Sequence, residues 1–272
     1  MSAQPGTIQK PSRGIATKKS WPHFLIITLT LISAAATLFT PSGTTSHLDA
    51  LLLFLATAGS ISALARQLPL QSVLFAACIT AFIGIAAHGL SARTGLPFGP
   101  LSFGESVGPQ IFNTVPWTVG LIWIIAIFNS RGVARVILRP WRKVKNYGFV
   151  LIGLTALLAL AFDFALEPFA HAKHFWFWHP TKLQVNWHGA SPLSFAGWTF
   201  VTVMILAVIM PYLIRKQPGN PSAADLSPVA LWLGAIILFA VDSAEAGEWA
   251  AVIADILIAG VTALFSWRGA KW

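Results

Sequence analysis

The chain has 272 residues, of which 56% are hydrophobic and only 10% charged, with a mean hydropathy of +0.70 and a formal net charge of +9. Soluble domains carry about a quarter charged residues, so this composition excludes a soluble enzyme and predicts an all-α, polytopic transmembrane helix bundle. The single cysteine, Cys78, excludes an internal disulfide or a multi-cysteine metal site and reads as a small core residue in an apolar run.

Residues 1–20 carry Lys10, Arg13, Lys18 and Lys19 without apolar periodicity and read as a disordered basic tail, leaving 21–272 as one transmembrane domain. The first apolar run covers 24–40. Its Ser33-Ala34-Ala35-Ala36 segment has the small residues of a signal-peptide cleavage site, but the twenty-residue polar lead is long for that, so a retained helix is expected. Further runs at 48–65, 70–88, 114–128, 147–166, 195–214, 226–241 and 249–267 bring the expected number of helices to eight.

The connecting segments alternate in charge. Fifteen of the eighteen Lys and Arg residues fall on one side: the tail, Arg66, the cluster from Arg131 to Lys145, Arg215/Lys216 and Arg268/Lys271. Only Arg93, Lys173 and Lys182 fall on the other. This asymmetry places both termini in the cytoplasm. It also accounts for the net charge without a nucleic-acid partner. Acids follow the opposite pattern, and most read as ordinary outer-surface charges. Asp255 is different because it lies inside the last apolar run, where a lone acid needs a partner or a proton; His88, at the outer end of the third helix, is one candidate.

The segment from 162 to 198 holds the most chemistry. Asp163 and Glu167 are four apart, which on a helix gives one shared face. Pro168 follows, biasing the preceding residue out of helical geometry, so the helix is expected to stop at Glu167. The carbonyl end of a helix, the loss of water and the neighbouring carboxylate would then all disfavour charge on the pair. Two outer segments are long and lack helical pattern: 89–113, rich in Gly and Pro, and 168–194, with Trp176, Trp178, Trp187 and His171, His174, His179 and His188. Trp is also expected at a membrane interface. His171 and His174 lie three apart, but no convincing further ligand set accompanies them, so no metal is expected.

These residues resemble a family signature. Thr94-Gly95-x-Pro97-Phe98-Gly99 with Val115-Pro116 is similar to one half of it. Asp163-x-x-x-Glu167-Pro168, Trp176-x-Trp178 and Gly189-x-x-Pro192-x-Ser194-Phe195-x-Gly197-Trp198 are similar to the other. The family is that of the integral-membrane carotenoid biosynthesis proteins, which includes hydratases acting on open ψ ends (γ-carotene hydroxylase and bisanhydrobacterioruberin hydratase types). The likeness covers roughly residues 85–200. Three positions depart from the usual pattern: Glu167 stands for Asp, Ser194 for Asn, and His88 where an acid is common.

The resemblance implies acid-catalysed addition of water to the terminal double bond of an acyclic carotenoid drawn from the lipid phase, with no cofactor. Asp163 and Glu167 would be catalytic, in proton donation and water activation respectively or in the reverse order. Pro97, Phe98, Gly99, Trp176, Trp178, Phe195 and Trp198 would bind the polyene, with His88, Ser194 and Asp255 as secondary candidates. A cyclase using the same protonation chemistry, or a non-enzymatic carotenoid-binding subunit, are the alternatives. The expected setting is a bacterial inner membrane, among lipids and other carotenoid enzymes. The topology has a direct check: a reporter fused after Arg142 should score as cytoplasmic. A periplasmic score would overturn the orientation, and a mature N-terminus near Ala36 would remove the first helix.

Overall fold

The structure, a computed structural model, describes residues 21–38, 46–104, 108–180, 185–213 and 224–272. The basic tail, Glu105, Lys182, Arg215 and Lys216 lie outside them. Among the described residues eight α-helices follow in order: α1 (Trp21–Leu38), α2 (Ser46–Ala65), α3 (Leu70–Thr94), α4 (Thr118–Ile137), α5 (Tyr147–Ala172), α6 (Pro192–Ile209), α7 (Ser227–Glu245) and α8 (Trp249–Ala270). Helices α3 to α8 are each long and apolar enough to cross a membrane, while α1 and α2 contribute shorter apolar spans. The protein is a multi-pass membrane helix bundle.

Helix α4 is the central post. Of its apolar span 89% is buried, against 22% in α8, and α2, α3, α5, α7 and α8 all pack on it. It lies further along the chain than its apolar run suggests. Residues 115–116 go into a strand instead, and the helix continues through Asn129, Ser130 and Arg131, all buried. Polar residues are tolerated there because neighbouring helices supply partners. Asn129 Nδ2 donates to Ser60 Oγ (2.9 Å), Trp232 Nε1 donates to Ser130 Oγ (3.1 Å), and Arg131 Nη2 donates to the Leu213 carbonyl (2.6 Å). Arg131 is therefore an interhelical residue and not a loop charge. Cys78 is corrected in the opposite sense: it is exposed on α3 and not in the core.

Four short strands decorate one end of the bundle. Strand β1 (Leu101–Phe103) pairs antiparallel with β4 (Trp176–Trp178), and β2 (Gln110–Ile111) pairs with β3 (Val115–Pro116). The β1–β4 ribbon joins the α3–α4 and α5–α6 connections, so the two halves of the sequence signature meet in space. Helix α6 lies hard against the first of these connections. A Cβ on Gly197 would stand 2.5 Å from the Pro97 carbonyl oxygen and 2.8 Å from the Phe98 ring, so only glycine permits the approach. Gly197→Val should therefore destabilise the protein by about 1–3 kcal/mol. Gly153→Val, with nothing within 4 Å of its Cβ, should not lower the thermal midpoint comparably in the same detergent.

Candidate active site

Asp163 and Glu167 lie one turn apart on α5 and are 0% and 1% exposed. Contrary to the sequence expectation, α5 does not stop at Glu167. It runs through Pro168 to Ala172. A proline inside a helix leaves the carbonyl four residues earlier without its N–H partner. Here that carbonyl belongs to Phe164, and Trp187 Nε1 donates to it at 2.9 Å. The Trp187 ring also stacks on Phe164, with centroids 4.5 Å apart and planes 12° from parallel. The orphaned acceptor is thereby satisfied and the helix continues. Glu167 thus sits above the last turn, and the helix-terminus argument against its charge falls away.

Strand β4 presents Trp176 and Trp178 on one side, because residues two apart on a strand share a face. Both indoles reach Glu167 Oε2, Trp176 Nε1 at 3.1 Å and Trp178 Nε1 at 2.9 Å. The ribbon is closed at both ends: the Gly104 N–H donates to the Phe175 carbonyl (3.0 Å) and the His179 N–H to the Pro100 carbonyl (2.9 Å). Glu167 Oε1 and both Asp163 carboxyl oxygens have no hydrogen-bond partner among the described residues. Three oxygens on two buried carboxyls are thus unclaimed by the described residues.

The first connection is organised by Ser91, a residue the sequence reading missed. Its Oγ donates to the Gly99 carbonyl (2.7 Å) and accepts the Phe98 N–H (3.1 Å). A hydroxyl one turn before the Thr94-Gly95 stop was the available signal. Gly95 closes α3 in the left-handed region (φ 77°), and the Leu96–Pro97 bond is cis. Phe98 is buried against His88 (4.4 Å between centroids), beside Trp123 and Trp198, which stack at 3.9 Å and 14°. Pro97 roofs Gly197, Gly99 lies under the Trp178 ring, and Phe195 meets Phe164 at 5.5 Å. Ser194 is buried, with no partner for its Oγ among the described residues.

His88 sits well inside α3, six residues before its end, and not at its outer terminus. Its Nδ1 lies 3.1 Å from the Gly84 carbonyl and 3.3 Å from Trp123 Nε1. The first contact needs the Nδ1 proton and the second its lone pair, so each belongs to one tautomer. Asp255 is buried on α8, and neither carboxyl oxygen finds a partner among the described residues. The pairing of His88 with Asp255 is therefore not formed. Asp242, expected as an ordinary surface charge, forms an ion pair with Lys173 at 2.8 Å. His171 belongs to the last turn of α5 and faces His188 at 6.2 Å, while His174 stacks on Phe177. Among the described residues no three His, Cys, Asp or Glu groups gather as a ligand set.

An apolar cavity of about 430 Å³ lies between α1, α2, α4, α5 and α7. Phe162, Leu166 and Phe169 of α5 line it together with Trp117, Phe175 and Phe239. Phe162 and Leu166 each precede a carboxyl-bearing residue by one position, a turn of roughly 100° around the axis. Neither acid, nor any of the polyene-binding residues expected from sequence, lines this cavity. The i, i+4, i+7 apolar stripe beside the acids was the sequence signal for its α5 wall.

A family model described as "Carotenoid biosynthesis protein" matches residues 48–262. The bisanhydrobacterioruberin hydratase of Haloarcula japonica is 26% identical over 153 residues, which cover 55% of this chain and 51% of that protein. The chain thus spans about half the length of this curated relative. No solved structure matches. The Trp187 bond to the interrupted helix has its own test. Trp187→Phe should cost about 1–3 kcal/mol by stranding the Phe164 carbonyl. Adding Pro168→Ala should recover much of the loss in thermal unfolding, because residue 168 regains an N–H.

Proposed function

This chain belongs to the carotenoid biosynthesis protein family, and we propose that it hydrates the open end of an acyclic carotenoid with Asp163 and Glu167 as its acid–base pair. It is a carotenoid-modifying membrane enzyme, and the observation that carries the finer reading is the pair itself. Two fully buried carboxyls stand one turn apart on a membrane helix, with three oxygens unclaimed among the described residues. The name of the Haloarcula japonica relative, a hydratase, favours water over an internal double bond as the nucleophile.

The chemistry is balanced without a redox partner. One carboxyl O–H gives its proton to the less substituted carbon of the terminal double bond, and the π electrons form the new C–H bond. The other carbon becomes a tertiary cation. Water bonds to that carbon and gives up a proton to the second carboxyl, which leaves the alcohol. A positioned acid or base of this kind contributes about 10²–10⁴ in rate. Exclusion of bulk water keeps the proton transfer between the named groups. The polyene, being apolar, enters from the lipid phase of the cell membrane.

Expression in a lycopene-accumulating host, followed by mass analysis of the pigments, tests the reading. Wild-type protein should yield a product heavier than its substrate by one water. Asp163→Asn and Glu167→Gln should each abolish that product while the protein still accumulates in the membrane, and Glu167→Asp should retain part of it. A product of unchanged mass that contains a ring would replace hydration by cyclisation. Full product from both amide variants would take Asp163 and Glu167 out of the reaction.

A further inference from the structure

We propose that Trp176 and Trp178 are positioning residues that give the two carboxyls opposite tasks: Glu167 takes the proton of water through Oε1, and Asp163 gives the proton to the alkene. This rests on the hydration reading above and deepens it. Sequence alone leaves the order of the two acids open, and it casts both tryptophans as polyene-binding. The geometry points elsewhere.

Both indole N–H groups converge on one oxygen, Glu167 Oε2, at 3.1 and 2.9 Å. An oxygen that accepts two N–H donors has no room for a proton of its own, and donors of this kind bind a carboxylate more strongly than a neutral acid. Indole can donate but not accept, so the clamp supports only the form of Glu167 in which Oε2 is bare. Oε1 has no partner among the described residues, which makes it the atom left to receive a proton. Asp163 is the converse case. It is equally buried, yet neither of its oxygens has a donor among the described residues, so nothing there supports a negative charge in the resting site.

The clamp is rigid. Trp176 is 4% exposed, and the strand that carries both indoles is paired residue by residue with β1, Leu101 opposite Trp178 and Phe103 opposite Trp176. Glu167 Oε1 is therefore held at a fixed place relative to Asp163, one turn earlier on the same helix. In the proposed cycle the Asp163 O–H bond breaks as the C–H bond forms. Water then supplies the electron pair of the C–O bond and its proton goes to Glu167 Oε1. Asp163 and Glu167 are not hydrogen-bonded to each other, so that proton returns to Asp163 through an intervening water, and the pair ends as it began.

The test uses the full-length protein in nanodiscs with an acyclic carotenoid. Trp178→Phe keeps an aromatic ring at a half-buried position and removes one donor; Trp176→Phe removes the other. In each, kcat should fall roughly tenfold or more, a fraction of the about 10²–10⁴ that a positioned acid–base group supplies. KM should stay within about twofold, since uniform substrate binding is untouched. The acidic limb of the pH–rate profile should move to higher pH, because ionised Glu167 loses part of its support. A raised KM with kcat and profile unchanged would make the tryptophans polyene-binding and overturn the proposal.

Infrared spectroscopy of the substrate-free protein gives a reading independent of turnover. The neutral-carboxyl band of the site should vanish in Asp163→Asn and persist in Glu167→Gln. The reverse pattern, or loss in both, would overturn the division of labour. If both amide variants still make product, the reading of Asp163 and Glu167 as the acid–base pair has itself failed. If they make none while both Trp→Phe variants behave as wild type, only the positioning role has failed.

Discussion

Two carboxyl groups buried side by side in a membrane bundle set the terms for everything around them. Groups this deeply buried are out of reach of bulk solvent, so each polar atom must find a partner in the chain or remain available for chemistry. Glu167 shows the first outcome at Oε2, where two indoles converge, and the second at Oε1. The alternation of the β1–β4 ribbon is what brings two side chains of one strand to one oxygen. The ordered loops are thus the means by which a charged-capable group is kept inside the bundle.

The same logic explains the passage of α5 through Pro168. A carbonyl without its amide would be costly at this depth. Trp187 answers it from a connection twenty-three residues away in sequence. Three tryptophans of one connection therefore spend their N–H groups on two successive turns of α5. Their rings also fill space: Trp187 against Phe164, and Trp178 over Gly99. The Trp-rich character of this segment is a hydrogen-bonding inventory as much as an apolar one.

Much of this was legible in the sequence. Composition gives the membrane class, apolar runs give eight helices, and i, i+4 spacing places Asp163 and Glu167 on one face. The order of the Gly, Pro and Trp motifs points to the family. What failed did so for tertiary reasons. Local rules end α5 at Glu167 because they cannot see Trp187. They place α4 too early because Asn129, Ser130 and Arg131 look like a helix end until Ser60, Trp232 and the Leu213 carbonyl come within reach. Ser91 passes unnoticed because a hydroxyl in an apolar helix usually bonds its own preceding turn. The indole contacts to Glu167 need a strand pairing between segments some seventy residues apart, and no local pattern encodes that.

That pairing has a consequence in time. The chain emerges in order, so α5 with both its acids is synthesised before β4, Trp187 and α6. During that interval Glu167 lacks both indole donors and the Phe164 carbonyl lacks its own, whatever the state of the earlier helices. The α3–α4 connection, already made, waits with β1 for its partner strand. Closing the ribbon therefore joins the two halves of the molecule and at the same step brings both indoles to Glu167 Oε2. A nascent protein halted before residue 176 would hold both carboxyls but neither indole that meets Glu167 Oε2, nor the Trp187 donor to the Phe164 carbonyl.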